Sequence, residues 1–166
     1  MDEPELARLL LASGPFDADR DRLMLYGRFV GSWDVEATWF ADGRPRARNM
    51  GEWHFQWILG GRGVQDVLFR AGSPAHSFGT TLRCYESGAG VWHVVWMQPA
   101  SREFVYLLGW EADDGILQEV QGLPPGRRER WRFTEITPVS FRWLGEVSHD
   151  GGATWILEQE MRARRR

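Results

Sequence analysis

The 166-residue chain carries one cysteine, Cys84. A single thiol excludes an intrachain disulfide and a multi-cysteine metal site. Apolar runs are short, and none approaches the length of a membrane-spanning helix. Basic charge is not in excess: the net charge is −3, which offers no field for nucleic acid and no polyanionic tail. The opening MDEPELARLLLASG lacks a basic stretch ahead of its apolar one, so no secretory signal is expected and a cytoplasmic location is. The four histidines, His54, His76, His93 and His149, show no i,i+2 or i,i+4 spacing and no H-E-x-x-H, so no metal site is expected. There is no G-x-S-x-G. Gly60-Gly61-Arg62-Gly63 leads into a strand, which favours a tight turn over a phosphate loop.

What the chain has in quantity is tryptophan: ten, with nine Phe and three Tyr. So many large rings in a small protein imply a thick aromatic core or a cavity with aromatic walls. They gather around a long hairpin, GSWDVEATWFA and RPRARNMGEWHFQWILGG, joined by Asp42-Gly43. Asp-Gly between alternating runs signals a type I′ turn, in which both central residues take φ > 0. A two-residue loop pairs Ala37 with Arg48, Val35 with Met50 and Trp33 with Glu52. One face then carries Trp33, Val35, Ala37 and Trp39 with Arg48, Met50, Glu52, His54 and Gln56. The other carries Asp34, Glu36 and Thr38 with Asn49, Gly51, Trp53, Phe55 and Trp57. Neither is purely apolar, which suits either a barrel with a polar-dotted interior or a bulge that exchanges the faces.

Before the hairpin, residues 3–12 and 19–29 read as helices that could close one end of a barrel. After it, short strands follow at even spacing with tight turns. On residues 91–98 and 103–111, Val91, His93, Val95 and Met97 share a face with Phe104, Tyr106, Leu108 and Trp110. That face is nearly all apolar and reads as inward, leaving Trp92 and Trp96 outside. In the final hairpin an odd loop at Asp150-Gly151-Gly152 keeps Phe141, Trp143 and Gly145 on one face with Gln159 and Met161. The alternating Arg128, Arg130 and Arg132 read as an exposed ladder beside Arg142, Glu158 and Glu160. About ten antiparallel strands without a long crossover predict an all-β fold: a single meander barrel over 30–163, preceded by a helical segment over 1–29. Residues 162–166 read as a frayed basic end.

Gly31-Ser32-Trp33 at the start of the first strand resembles the G-x-W signature of lipocalins and related calycin barrels. Trp57-Ile58-Leu59-Gly60-Gly61-Arg62, Gln65 and the closing FRWLGEVSHDGGATW resemble a bacterial calycin-like family of unknown function. The resemblance implies a lipocalin-like barrel whose Trp33 packs across the closed end against a late-strand arginine, with Arg132 and Arg142 as the candidates. It implies no catalytic residues. Several calycins hold apolar small molecules and some hold haem through a histidine. Nitrobindin-like relatives need a late-strand histidine, for which His149 is the nearest candidate, although it falls in a turn.

The expected function is binding of a small hydrophobic or aromatic ligand, with Trp39, Arg48, Gln56, Tyr106, Trp110 and Trp143 as ligand-binding residues. The alternative is a cofactor-independent isomerase, cyclase or hydrolase using His54, Glu52 and His93 as acid and base. No cofactor is otherwise expected, haem being a third reading. A homodimer or other protein partner meeting Trp92 and Trp96 is a fourth.

Overall fold

The computed structural model describes residues 4–72 and 77–166. Its elements are α1 (Glu5–Leu10), β1 (Leu11–Ala12), α2 (Arg20–Gly27), β2 (Gly31–Ala41), β3 (Arg44–Ile58), β4 (Gly63–Arg70), β5 (Gly79–Glu86), β6 (Val91–Gln98), β7 (Glu103–Ala112), β8 (Gly115–Val120), β9 (Arg128–Thr134), β10 (Ser140–Ser148) and β11 (Ile156–Arg165). Strands β2 to β11 form an antiparallel meander. It closes because β11 returns to pair with β2. The two-residue β1 caps the edge of β3. The expected turn at Ala71 to Pro74 runs into residues outside those described, as does His76.

Asp42 and Gly43 take φ of 52° and 71°, and Ala41 pairs with Arg44 as a two-residue turn requires. The register then slips. Phe40 pairs with Pro45 but Trp39 pairs with Ala47, so Arg46 is a bulge with no partner on β2. Beyond it, Trp33 faces Trp53 and Val35 faces Gly51, not Glu52 and Met50. Because successive side chains alternate, that one residue exchanges the faces of β3. Asn49, Gly51, Trp53, Phe55 and Trp57 point inward, and Arg48, Glu52, His54 and Gln56 outward.

The β6–β7 hairpin pairs as expected, His93 with Leu108 and Val95 with Tyr106, but the opposite face is the inward one. Trp92, Val94, Trp96 and Leu107 are buried, whereas Phe104 is 67% exposed and Tyr106 43%. Trp92 and Trp96 are therefore not a surface for a partner. In the last hairpin the faces are as expected, yet Trp143 pairs with Met161 instead of Gln159, a shift of two residues along β11, with a bulge at Gly145/Glu146.

One end of the barrel is filled by α2. Leu23 and Tyr26, with Phe29 just beyond the helix, are buried among Trp33, Phe55, Trp92, Phe133 and Phe141. Phe29 stacks on Phe133 with centroids 4.9 Å apart and meets Phe141 at 4.7 Å. Trp33 crosses this end fully buried and donates from Nε1 to the Phe29 carbonyl at 2.7 Å. Its arginine is neither Arg132 nor Arg142 but Arg165, whose guanidinium lies 4.1 Å from the ring centroid. Arg165 also donates to the carbonyls of Arg28, Val30 and Pro138, each at 2.9 Å. Gly31 has to be glycine here: its φ is +129°, and a Cβ would sit 2.6 Å from Arg165 Nη1. The expected frayed end is thus a strand to Arg165, and Arg166 pairs with Asp34 and Glu52.

No helix among the described residues is long and apolar enough to cross a membrane.

Candidate functional site

Away from α2 the barrel is hollow. A cavity of about 700 Å³ lies between the strands and reaches the surface where Ala47, Met50 and Glu103 are exposed. Its walls are indoles: Trp39 on β2, Trp53 on β3, Trp96 on β6, Trp131 on β9 and Trp143 on β10. Trp131 meets Trp143 edge-on at 5.5 Å and Trp96 at 6.4 Å, the geometry the ring quadrupole favours. Two glycines make room for these rings. A Cβ on Gly79 would lie 2.0 Å from Trp96 and one on Gly145 would lie 2.8 Å from Trp143. Glu103 accepts the Trp96 Nε1 proton at 3.0 Å and fixes the plane of that ring at the mouth.

On the side facing the α2 plug the lining becomes polar. Arg83 and Thr81 on β5 are each 2% exposed. Arg83 Nη1 donates to Asp66 Oδ2 at 2.6 Å, and the Thr81 backbone N–H donates to Asp66 Oδ1 at 3.0 Å. The guanidinium lies against the rings of Tyr26, Phe55 and Phe133, at 5.2, 5.5 and 5.8 Å from their centroids. Burial pushes the Tyr26 phenol up against the opposing pull of Arg83, so it stays protonated and donates to Gln118 Oε1 at 2.9 Å. Burial also raises the Cys84 thiol, which removes it as a ready nucleophile.

Of the residues expected to line the site, Trp39 and Trp143 do. The others do not. Arg48 is exposed on the outer face of β3, and Gln56, also outside, donates to the Ala12 carbonyl at 3.0 Å. Trp110 flanks a small outer cleft with Arg22, Leu25 and Arg28. Tyr106 and His93 meet outside the barrel, the hydroxyl 2.8 Å from Nδ1, with Glu86 2.7 Å from Nε2. His54 lies between Ser32 Oγ at 2.9 Å and Glu52 Oε2 at 3.0 Å, again outside. Arg166 and then His54 hold the Glu52 carboxyl below the usual range, which keeps it charged and engaged rather than poised to move a proton. The physical reason for all of these is the Arg46 bulge on β3 and the inverted face of β6–β7. The residues that sequence reasoning missed are Asp66, Thr81, Arg83, Trp53, Trp96 and Trp131. A signal existed: Arg83 stands between Leu82 and Cys84, and Asp66 shares a strand face with Val64 and Leu68, which suits a buried pair.

The described histidines do not suit haem. His54 and His93 point outward and His149 is exposed in a turn, so none offers an imidazole to an iron inside the cavity. Among the described residues no group of three or more His, Cys, Asp or Glu is placed to hold a metal ion.

At the rim, the arginine row of β9 is not an exposed ladder alone. Arg130 and Arg132 converge on Glu146, with Nε atoms 2.7 and 2.8 Å from Oε2. Burial raises this carboxyl, but the hydrogen bonds from Arg132 and Arg130 outweigh it and the net shift is downward. Asp150, in the turn after β10, is held far below its usual range by the Thr154 hydroxyl, the Thr154 N–H and the Ser148 hydroxyl. A carboxyl whose folded value lies below its unfolded one stabilises the fold above the unfolded value and loses that contribution as pH falls through the folded one. The thermal midpoint is therefore expected to be flat near neutrality and to fall below about pH 4. Glu146→Gln should weaken that acid dependence; an unchanged profile in the variant would show the arginine pair carries none of it.

The fold and site together define a class: a closed antiparallel meander barrel, plugged at one end and hollow at the other. No protein-family model and no curated protein matches the chain. Among solved structures, the crystal structure of Rv2717c from M. tuberculosis superposes with a TM-score of 0.55 at 15% identity, over 87% of this chain and 97% of that one. The likeness is one of fold.

Proposed function

We propose that the protein binds a small, largely aromatic molecule inside the barrel. The observation that carries this reading is the cavity itself: about 700 Å³, walled by five tryptophans, within the size range of small-molecule sites. A folded protein fills its interior unless the space has a use, because unfilled apolar volume forfeits packing energy. The G-x-W resemblance to calycins, several of which hold apolar small molecules, supports the same reading. The acid–base alternative loses its support, since His54, Glu52 and His93 all lie on the outer surface.

The test is titration with the neutral fluorescent probe N-phenylnaphthylamine. Wild type should bind it saturably, with one site per chain. Ala37→Trp places an indole into the cavity from β2 and should weaken binding by at least about tenfold, a loss of roughly 1.4 kcal/mol. Phe104→Ser, on the outer face, should leave binding unaltered. Equal binding by wild type and Ala37→Trp, with both folded, would remove the cavity as the site.

A further inference from the structure

Arg83 lines the cavity and is almost wholly buried, yet Asp66 takes the only hydrogen bond its side chain donates among the described residues. A guanidinium has five N–H donors in a fixed fork and no acceptor. Its Nε is buried with no partner, and so are Trp53 Nε1, on another lining residue, and Gln118 Nε2, which lies outside the cavity lining. Buried donors in folded proteins are nearly always paired, so an unpaired one calls for an explanation. The two on lining residues are donors only, and what they lack is an acceptor.

The charge balance says which kind. Asp66 already neutralises Arg83 across a 2.6 Å contact, and its second oxygen is held by the Thr81 N–H. The polar wall is therefore neutral as a unit. An anion brought there would set a second negative charge beside one cation in a site that has shed its water, where an unbalanced charge is costly. The mouth adds to the penalty, because Glu103 and Glu158 line the cavity against Arg70, the one further cation among the described lining residues, while Glu129 and Glu146 are paired with Arg127 and with Arg130 and Arg132. An uncharged oxygen meets neither cost and still takes a hydrogen bond from a charged donor, the stronger kind.

We infer that the cavity takes an aromatic molecule bearing an uncharged carbonyl-type oxygen, and that Arg83 holds this oxygen while the indoles enclose the ring. The inference rests on the binding function proposed above and narrows it to a ligand class. Arg83 is then the polar anchor of the site, and Asp66 a positioning residue that sets the guanidinium and cancels its charge.

Three probes of nearly equal size separate the possibilities by isothermal titration calorimetry at neutral pH: acetylnaphthalene, ethylnaphthalene and naphthoate. Wild type should hold acetylnaphthalene at least about tenfold more tightly than either of the others. The double variant Asp66→Asn/Arg83→Met avoids leaving an unpaired charge and should lose the preference for the ketone over ethylnaphthalene. A second measurement needs no variant: the infrared carbonyl band of bound acetylnaphthalene should lie below its position in an apolar solvent, as a hydrogen-bonded carbonyl does. Equal binding of ketone and hydrocarbon with an unshifted band overturns the inference and leaves the cavity function standing. Tightest binding of naphthoate overturns the uncharged acceptor. Binding of none of the three removes the cavity function itself.

Discussion

Arg83→Met should cost the protein about 3–5 kcal/mol of stability, read as a large fall in the urea midpoint. The loss does not come from an attractive pair being worth that much. Asp66 and Arg83 have side chains 0% and 2% exposed, and deleting the cation leaves a carboxylate buried with one backbone N–H for company. Asp66→Asn/Arg83→Met removes both charges and should recover most of the loss, because replacing a buried pair together is often close to neutral. A double variant no more stable than Arg83→Met would mean that the guanidinium stabilises the fold through the rings of Tyr26, Phe55 and Phe133 and not through Asp66. The result also matters for function, since it states how much stability the fold commits to keeping a charged donor inside.

Trp33→Ala should be comparably severe, about 3–5 kcal/mol by the usual cost of truncating a buried indole. Three things depend on that ring. It is packed edge-on against Phe141 at 4.7 Å, it ties its N–H to the Phe29 carbonyl beyond α2, and it gives Arg165 a face to lie on. Trp33→Phe keeps the ring contacts and loses the hydrogen bond, and should retain more than half of the stability lost in Trp33→Ala. Thermal or urea unfolding of both variants checks the order. If Trp33→Phe were as damaging as Trp33→Ala, the bond to Phe29 would outweigh the packing.

The fold was largely legible and the site was not. Turns announce themselves locally: Asp42-Gly43 specifies φ > 0 at two positions, and Gly151 and Gly152 also take φ > 0, although the connection there runs over residues 149–155 and is not the three-residue loop expected. A meander barrel follows from counting such turns. Which side of a strand faces inward is a sum over the whole strand, and one bulge reverses it. The Arg46 bulge had a marker in Pro45, which has no N–H to give a ladder and in strands is confined to edges and bulges. On β6 the error had a different source. Both faces of VWHVVWMQ are apolar, so composition could not choose, and the tryptophans stood beside Gln98 and Glu103, which looked like surface residues but belong to a wet mouth. The pair that matters most, Asp66 and Arg83, lies 17 residues apart on strands joined by a stretch, AGSPAHSF, whose sequence fixes no parity. Only the assembled sheet, with Asp66 facing Thr81 and Arg83 one step further along the same face, brings them together.

The seam between β2 and β11 joins residues 33–39 to residues 159–165. Every other pairing in the barrel links strands that are neighbours in sequence, so hairpins can accumulate in order as the chain leaves the ribosome. Until the last of these residues emerges, both outer strands of the growing sheet present open ladders, and the tryptophan at position 33 has no cation to cover it. Joining such distant segments is also the slowest kind of contact to make. Closure of the cup is therefore expected to be the slowest of its pairings to form.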